Sequence, residues 1–476
     1  MPSAVTASSG NRSEPAASGS AYPKPGYAMY TLLIFFVVAI LSYTDRLILN
    51  LLVDPIRHDL GITDTQISLL QGVAFAVLYS VIGLPLGRFA DRFNRRNLIL
   101  FGVVVWSAAT AACGFASGFW PLFVARIGVG LGEAALAPAA MSMIADYFPP
   151  NRRGTAIGVF LTGMAMGGGT AVLIGGALLQ GFESGSLTLP AMFGHLHPWR
   201  EVLVSLSLPG CLVAPLLLTV REPARRETLT AAADGQNAFE PTKRFFSENR
   251  WTFIYLFTAF ALANLVSYAS DSWLPSVLIR RFSLSPVQVG ASIGAVSLIC
   301  GGAGTLVGGV IADRLQHAGR SDAALRFTLV TSLCALPLLI FPLMPTVVLA
   351  LTMAGIYAFV VGMAGTAGLT ATQNAVPGEM RGFAVSMQAF MYTLIGLGLG
   401  PTLVAFTTDH IYHDARQVGA SIVTVTVPVS IISAVLLWRA LGQYRTTRAR
   451  IAGVEADTEA NTSLAALAIE ASSPEV

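Results

Sequence analysis

Uncharged stretches long enough to cross a lipid bilayer recur along the whole sequence, and they constrain the fold more than any other feature. A bilayer core of roughly 30 Å needs about 20 mostly apolar residues per helical crossing. The stretch 327–378 is long enough for two crossings, with Pro345 as a break between them. The other stretches, some with embedded charges, are 28–52, 65–87, 97–125, 121–147, 154–182, 202–220, 252–270, 282–312, 382–408 and 417–438. The sequence therefore predicts an all-α membrane protein with twelve transmembrane helices.

The composition agrees with this interpretation and argues against an enzyme. Only 12% of the residues are charged and 54% are hydrophobic, whereas about 25% of a soluble domain is charged. The sequence contains no HExxH zinc motif and no G-x-x-x-x-G-K-[ST] phosphate loop, which disfavours a metalloenzyme and an ATP-driven pump. The cysteines lie in predicted helices without paired spacing, so we expect packing residues: Cys113, Cys211, Cys300 and Cys334. We therefore expect no enzymatic activity, no cofactor and no metal.

The distribution of basic residues predicts the orientation in the membrane. Residues 1–27 are rich in Ser, Ala, Gly and Pro and do not resemble a signal peptide, so we expect a disordered cytoplasmic tail. With the N-terminus inside, most of the 29 Lys and Arg fall in cytoplasmic segments, where basic residues are favoured. The basic residues on the outer side are Arg57, Arg200, Arg280, Arg281 and Arg416. We expect a monomeric, multi-pass protein of the inner cell membrane with both termini cytoplasmic and no nucleic-acid partner.

A charged segment at 221–250 divides the chain into two halves, each with six predicted helices. We expect bundles at 28–220 and 251–440, joined by this cytoplasmic linker and followed by a cytoplasmic tail at 441–476. Internal repetition supports the division, because "GRFADR" at 87–92 recurs as "GVIADR" at 309–314. The predicted fold is therefore two pseudo-symmetric six-helix bundles within one chain.

The first copy of this repeat, "GRFADRFNRR" at 87–96, resembles the cytoplasmic loop signature of the major facilitator superfamily. The resemblance extends over about residues 28–440 and implies a secondary transporter whose substrate site lies near the bilayer midplane between the halves. Asn94 stands where the superfamily usually has glycine. We expect a left-handed backbone there, which Asn tolerates better than most residues.

A narrower resemblance concerns the charged helices. "YTDR" at 43–46 and "RIGVGLGEAALAPAA" at 126–140 are similar to the spinster-type branch of the superfamily. Animal members of that branch are associated with export of sphingolipids and lysophospholipids, which implies an amphiphilic substrate, contact with membrane lipids and coupling to protons. Organic-anion symporters carry similar sequences in helix 4, so organic-anion symport and proton-driven drug efflux remain alternatives.

Four charged residues lie inside predicted helices 1 and 4. At about 1.5 Å per residue, Asp45 lies about 12 Å below the outer end of helix 1 and Arg126 about 9–10 Å below that of helix 4, so the two share a level. Glu133 lies about 20 Å deep on the same helix face as Arg126. Successive residues diverge by about 100°, so Asp45 and Arg46 cannot both face helix 4.

Charges in the membrane usually have a function. We expect Asp45 to carry protons and release Arg126 on protonation, with Glu133 as a second proton carrier. Arg46 is the candidate ligand for an anionic substrate group, since arginine can bind phosphate bidentately. The alternative is a structural ion pair that fixes helix 1 against helix 4.

In the second half, Asp271 lies 226 residues beyond Asp45 and occupies the pseudo-equivalent position in helix 7. It is a candidate substrate or proton ligand, or else a residue at the wet outer mouth of that helix. Tyr268 and Tyr357 are candidate substrate contacts. They belong to a group of aromatic residues that line the cavity, or pack in the core or against lipid, together with Trp273, Phe390 and Tyr392.

The repeated loop signature supplies a candidate cytoplasmic gate. Gly87 permits close helix packing, and Asp91 can accept hydrogen bonds from helix amides and from an arginine of a neighbouring loop. The other predicted gate residues are Arg92, Arg95, Arg96, Asp313 and Arg314. The alternative is that these are solvated loop charges that only set the topology.

Overall fold

The computed structural model describes residues 22–224, 239–317 and 322–472; among these, 83–92, Asp313 and 454–472, with a few single positions, are described in their backbone only. Most of the predicted N-terminal tail and the centre of the predicted linker lie outside the described residues. Over the described ranges the chain is helical and contains no strand.

Twelve helices in the described part of the chain are long and apolar enough to span a membrane, which confirms the predicted fold class. We number them in chain order: α1 Pro25–Asn50, α2 Asp64–Ile82, α3 Arg95–Gly114, α4 Phe119–Tyr147, α5 Arg152–Glu183, α6 Pro198–Leu218, α7 Arg250–Phe282, α8 Pro286–Ala312, α9 Ala323–Leu343, α10 Val347–Asn374, α11 Arg381–Tyr412 and α12 Ala415–Gly453. α2 is interrupted at Gly72. Its second helical segment, Val73–Arg92, extends beyond Ile82. Two short helices lie outside the spans, at Val53–Leu60 and Phe239–Glu248.

The helices form two six-helix bundles. In the first, α1 packs against α5 and α3 against α6; in the second, α7 packs against α12 and α8 against α10. Since the number of crossings is even, the two ends of the spanning region lie on the same side. We call that side, with Pro25 and Gly453, the terminal face, and the opposite side the distal face. The bundles meet along α2 with α11 and α5 with α8.

Regular structure extends beyond the predicted bundle limits. α1 begins at Pro25, where a proline at the first helical position is favourable because its missing N–H needs no partner. The last helix continues as Val418–Ser472. Near the terminal face it is tied to the rest of the second bundle, because Arg445 donates to Asp322 at 2.5 Å and Arg326 donates to the same oxygen at 2.8 Å.

The prediction of a left-handed backbone at Asn94 is wrong. Asn94 has φ −67° and ψ 113° and is the N-cap of α3, where its side chain accepts a hydrogen bond from the backbone N–H of Asn97 at 2.9 Å. Asparagine is among the preferred N-cap residues because it satisfies an amide that the helix leaves free. Asn94 therefore begins α3 and does not adopt the expected left-handed conformation.

Candidate functional site

Arg46 and Glu133 form a buried ion pair inside the first bundle. Nη2 and Nε of Arg46 donate to Oε2 of Glu133 at 2.8 and 3.1 Å. The two side chains are 5% and 0% exposed. The pair is protected from water and salt, and its hydrogen bonds fix the position of α1 relative to α4.

Three aromatic rings of the first bundle surround the guanidinium of Arg46. Its central carbon lies 4.5 Å from the ring centres of Tyr43 and Phe75 and 4.7 Å from that of Tyr79. These distances are in the range of cation–π attraction. Tyr268 of α7 is also close enough to Arg46 to interact electrostatically. Arg46 therefore lies at the boundary between the two bundles.

Arg126 binds main-chain oxygens rather than a carboxylate. It donates to the carbonyls of Asp45 at 3.1 Å, Arg46 at 3.2 Å and Leu70 at 3.4 Å. These carbonyls lie where α1 tightens to a 3-10 turn after Leu47 and where α2 is interrupted at Gly72. Carbonyls near helix ends lack regular partners. Arg126 and Asp45 share a level as predicted, but their side chains form no ion pair in this structure.

The Asp45 carboxylate is 3% exposed and forms no ion pair with any described residue. Thr110 of α3 is its polar neighbour. In Glu133, Oε1 accepts no hydrogen bond from the described residues, although Ser42 lies nearby. The centre of the first bundle therefore contains one buried acid that forms no ion pair, with Arg126 near enough to interact electrostatically, and a second acid with one oxygen that accepts no hydrogen bond from the described residues.

In the second bundle, Asp271 is exposed although it lies well inside α7. It is close enough to Tyr268 and Tyr357 for electrostatic interaction, and it forms no ion pair within the described part of the chain. Tyr268 is close enough to interact electrostatically with both Arg46 and Asp271. A series of electrostatic interactions thus connects Arg46, Tyr268, Asp271 and Tyr357, from the first bundle into the second.

A cavity of about 90 Å³ lies within the second bundle. Its described lining residues are uncharged and come from α7, α9, α10, α11 and α12; they include Phe260, Val266, Ala335, Tyr357, Val361, Tyr392 and Leu437. Most of its hydroxyl groups donate to carbonyls of the helices: Ser433 to Ala259 at 2.8 Å, Thr328 to Ala324 at 2.9 Å, Ser332 to Thr328 at 2.8 Å and Ser267 to Ala263 at 3.3 Å. The cavity therefore presents a largely apolar surface.

Three of the aromatic candidates do not line this cavity: Tyr268, Trp273 and Phe390. Trp273 is 0% exposed, and its indole N–H donates to the carbonyl of Pro401 at 3.0 Å. It is therefore a core residue, in agreement with the simpler alternative. Phe390 is absent from the described lining.

The predicted gate residues Arg95 and Arg96 bind within the first bundle. Arg95 is 2% exposed and contacts Asp146 at 2.5 Å and Glu222 at 2.7 Å. Arg96 donates to the carbonyl of Leu218 at 3.3 Å. These bonds tie the start of α3 to the ends of α4 and α6. Arg314 is exposed, Gly87 is described in its backbone only, and the side chains of Asp91, Arg92 and Asp313 lie outside the described part of the structure.

Sequence reasoning did not select Tyr43, Phe75, Tyr79 or Glu222. A signal for the ring residues was present, since Phe75 and Tyr79 have i, i+4 spacing on α2 and Tyr43 stands one turn before Arg46. Glu222 lies just beyond α6, in the predicted linker, where a charge usually faces water.

Comparison with known proteins agrees with this architecture. Residues 35–401 match the family described as Major Facilitator Superfamily. An MFS-type efflux pump of Mycolicibacterium smegmatis is 28% identical, over 86% of this chain and 91% of the pump. A hexuronate transporter of Bacillus subtilis is 26% identical, over 79% of this chain and 87% of the transporter.

Among solved structures, a bacterial homolog of the human lysosomal transporter spinster, in an inward-facing and unoccupied conformation, has a TM-score of 0.72 and 27% sequence identity. The similarity covers 90% of this chain and 98% of that one. The resemblance to spinster-type proteins seen in the sequence is therefore confirmed at the level of the fold.

Proposed function

Because the chain belongs to the major facilitator superfamily, whose members are membrane transporters of small molecules, we propose that it moves an amphiphilic, lipid-like substrate by alternating access coupled to protons. The substrate class is that of lysophospholipids and sphingoid phosphates. The similarity to a spinster homologue supports this choice, and the structure adds a separate argument.

The supporting observation is the unequal polarity of the two bundles. The first bundle presents a cation, Arg46, at the boundary. The second presents an uncharged cavity whose hydroxyls are mostly engaged by its own helices. An anionic head can bind the arginine while an apolar tail enters the cavity. A polyhydroxylated acid such as a hexuronate would find few free hydrogen-bonding groups there, and unpaired buried polar groups are costly.

Binding of the head group would compete with Glu133 for Arg46. In the structure Glu133 neutralises the guanidinium and leaves one of its own oxygens free. A phosphate that took over Arg46 would leave the carboxylate of Glu133 without its cation, and an unpaired buried carboxylate is costly unless it takes up a proton. Substrate and proton binding are thereby linked at one residue, with Asp45 as the neighbouring acid of the same bundle. Asp271 is the corresponding acid of the second bundle.

In this proposal the terminal face is cytoplasmic and the membrane is the inner membrane of the cell. The repeated loop residues Gly87, Asp91, Arg92, Asp313 and Arg314 form the cytoplasmic gate. Arg95 and Arg96 support it by fixing the first bundle at that face.

Ligand binding tests the substrate class. Purified protein should bind a lysophospholipid saturably, and Arg46→Ala should weaken the affinity at least tenfold. Arg244→Ala is the control, because Arg244 lies on the surface with its side chain 82% exposed. If the protein binds a hexuronate and does not bind the lysophospholipid, organic-anion symport is favoured instead. Selective binding of lipophilic cations would favour drug efflux.

Proton coupling is tested separately in liposomes. An imposed pH gradient should drive substrate movement in the wild type, and Asp45→Asn should remove the dependence on the gradient while the protein stays folded. If Asp45→Asn leaves the pH response unchanged, the proton carrier is another acid, and Glu133→Gln and Asp271→Asn identify it by the same assay.

A further inference from the structure

Arg280, near the end of α7, links the second bundle to the first at the distal face. Its guanidinium contacts Asp54 at 2.8 Å and both oxygens of Asp64 at 2.7 and 2.8 Å. It also donates to the carbonyl of Ala415 at 3.1 Å. Asp54 lies in the short helix after α1, and Asp64 is the first residue of α2. One side chain of the second bundle thus binds two carboxylates of the first.

The cluster is largely excluded from water. The side chain of Arg280 is 7% exposed, those of Asp54 and Asp64 are 15% and 0% exposed, and the guanidinium lies 5.6 Å from the ring centre of Trp273. Arg57 is the other cation near Asp64, at 3.6 Å, and its side chain is 31% exposed. Removing one partner of a buried ion pair leaves an uncompensated charge, which is strongly destabilising.

Arg280 and Asp54 are also related by the internal repeat. They are 226 residues apart, the separation between the pseudo-equivalent Asp45 and Asp271. Asp54 follows the end of α1 and Arg280 lies near the end of α7, and residues at equivalent positions close to the axis relating the bundles can meet each other across it. Here the two positions carry opposite charges and form an ion pair.

The other contacts between the bundles reinforce this end of the molecule. The main-chain N–H and the hydroxyl of Thr65, on α2, each donate to Oδ2 of Asp409, on α11, at 2.7 Å. Gly176 of α5 and Gly290 of α8 are in close contact with the main chain of the opposite bundle. The bonds of Arg280 with Asp54 and Asp64 and those of Thr65 with Asp409 thus link the two bundles at the same face.

We infer that Arg280 is the gating residue of the distal face: its ion pairs with Asp54 and Asp64 hold the two bundles together, and alternating access requires that they break. The gate acts on the position of the bundles and is independent of which substrate is carried. It is separate from the cluster around Arg46, which lies deeper in the membrane.

The test measures the separation of the bundles at the distal face. Spin labels at Ser186, in the α5–α6 loop, and at Gln417, at the start of α12, report a distance across this face in a background without the four cysteines. Arg280→Ala should raise the population of a longer distance by roughly a factor of ten or more. Arg281→Ala is the matched control, because Arg281 donates to Pro342 and Leu343 within its own bundle at 2.6 and 3.0 Å.

A charge exchange makes the result specific. Arg280→Asp should open the distal face as Arg280→Ala does, and adding Asp64→Arg should restore the short distance. If Arg280→Ala does not fold, Asp64→Asn provides the same comparison with a nearly isosteric side chain. An unchanged distance distribution in the folded Arg280→Ala or Asp64→Asn protein would overturn the inference, as would an equal shift in Arg281→Ala.

Discussion

Both donor atoms of Arg46 that contact Glu133 share a single oxygen, Oε2, at 2.8 and 3.1 Å. This geometry differs from a side-by-side pair in which each carboxylate oxygen receives one N–H, and it leaves Oε1 of Glu133 unoccupied. The pair therefore fixes α1 against α4 while it retains a free acceptor inside the first bundle.

Breaking this pair should destabilise the protein. Glu133→Ala leaves the charge of Arg46 buried without compensation, and we expect the free energy of unfolding to fall by about 3–5 kcal/mol. Denaturant unfolding in detergent measures it. Glu248→Ala breaks the exposed pair with Arg244, also 2.8 Å long, and should have no measurable effect. An equal decrease in the free energy of unfolding in the two variants would show that the buried Arg46–Glu133 pair contributes no more to stability than the exposed pair.

The contribution of Arg126 to the stability of the protein should depend on the shape of its side chain as well as on its charge. Arg126→Lys keeps the charge, but an ammonium group cannot reach the three carbonyls that the guanidinium binds. We expect a loss of roughly 1–3 kcal/mol for each carbonyl left without a partner, seen as a lower unfolding temperature. Arg416→Lys, at an exposed position on the distal face, serves as control. Wild-type stability in Arg126→Lys would contradict a role in holding α1 and α2.

The sequence predicted the number of helices and the two bundles, because these depend on counting along the chain. It did not predict that Arg126 binds main-chain carbonyls or that Glu133 is the partner of Arg46, since the rotation of each helix about its axis and the breaks after Leu47 and at Gly72 arise only on packing. Arg126 could be placed level with Asp45, but not onto the main chain of α1.

The distal ion pairs were missed for a different reason. Asp54, Asp64 and Arg280 lie at helix ends, where charges are normally solvated, so that their burial was not predictable from local sequence. The spacing of 226 residues, already evident between Asp45 and Asp271, was the signal that could have identified Arg280 and Asp54.

Close packing of α5 on α8 should be sensitive to one added methyl group. Gly290→Ala would press its Cβ against the main-chain oxygen of Val172 in the opposite bundle, so we expect the Ser186–Gln417 distance to lengthen. Gly301→Ala is on the same helix, and a Cβ there has no neighbour within 4 Å among the described atoms. It should leave the distance unchanged. The same Ser186–Gln417 distance in both variants would mean that the contact between α5 and α8 does not limit closure of the distal face.

Acid stability should depend on Asp322, which lies just before α9. Burial acts to raise the pKa of this carboxyl, but the hydrogen bonds from Arg326 and Arg445 outweigh it, so the pKa lies below the ordinary value of 3.8. A carboxyl with a lowered pKa stabilises the fold fully above its unfolded-state pKa, and this contribution is lost as the pH falls through the folded-state pKa.

The expected result is a smaller acid-induced loss in Asp322→Asn. Unfolding temperatures measured from neutral pH to below 3.8 should fall less steeply than in the wild type, and Arg445→Ala should have an intermediate slope. Parallel curves for the wild type and Asp322→Asn would show that other groups govern the acid transition.

The pairing of Asp54 with Arg280 restricts how alike the two bundles can be. Were both equivalent positions aspartate, or both arginine, like charges would face each other across the axis and oppose closure of the distal face. A homodimer assembled from two copies of either bundle would encounter this repulsion. Joining two diverged bundles in one polypeptide gives every molecule one aspartate opposite one arginine, so this contact could have formed only after the duplicated halves had begun to differ.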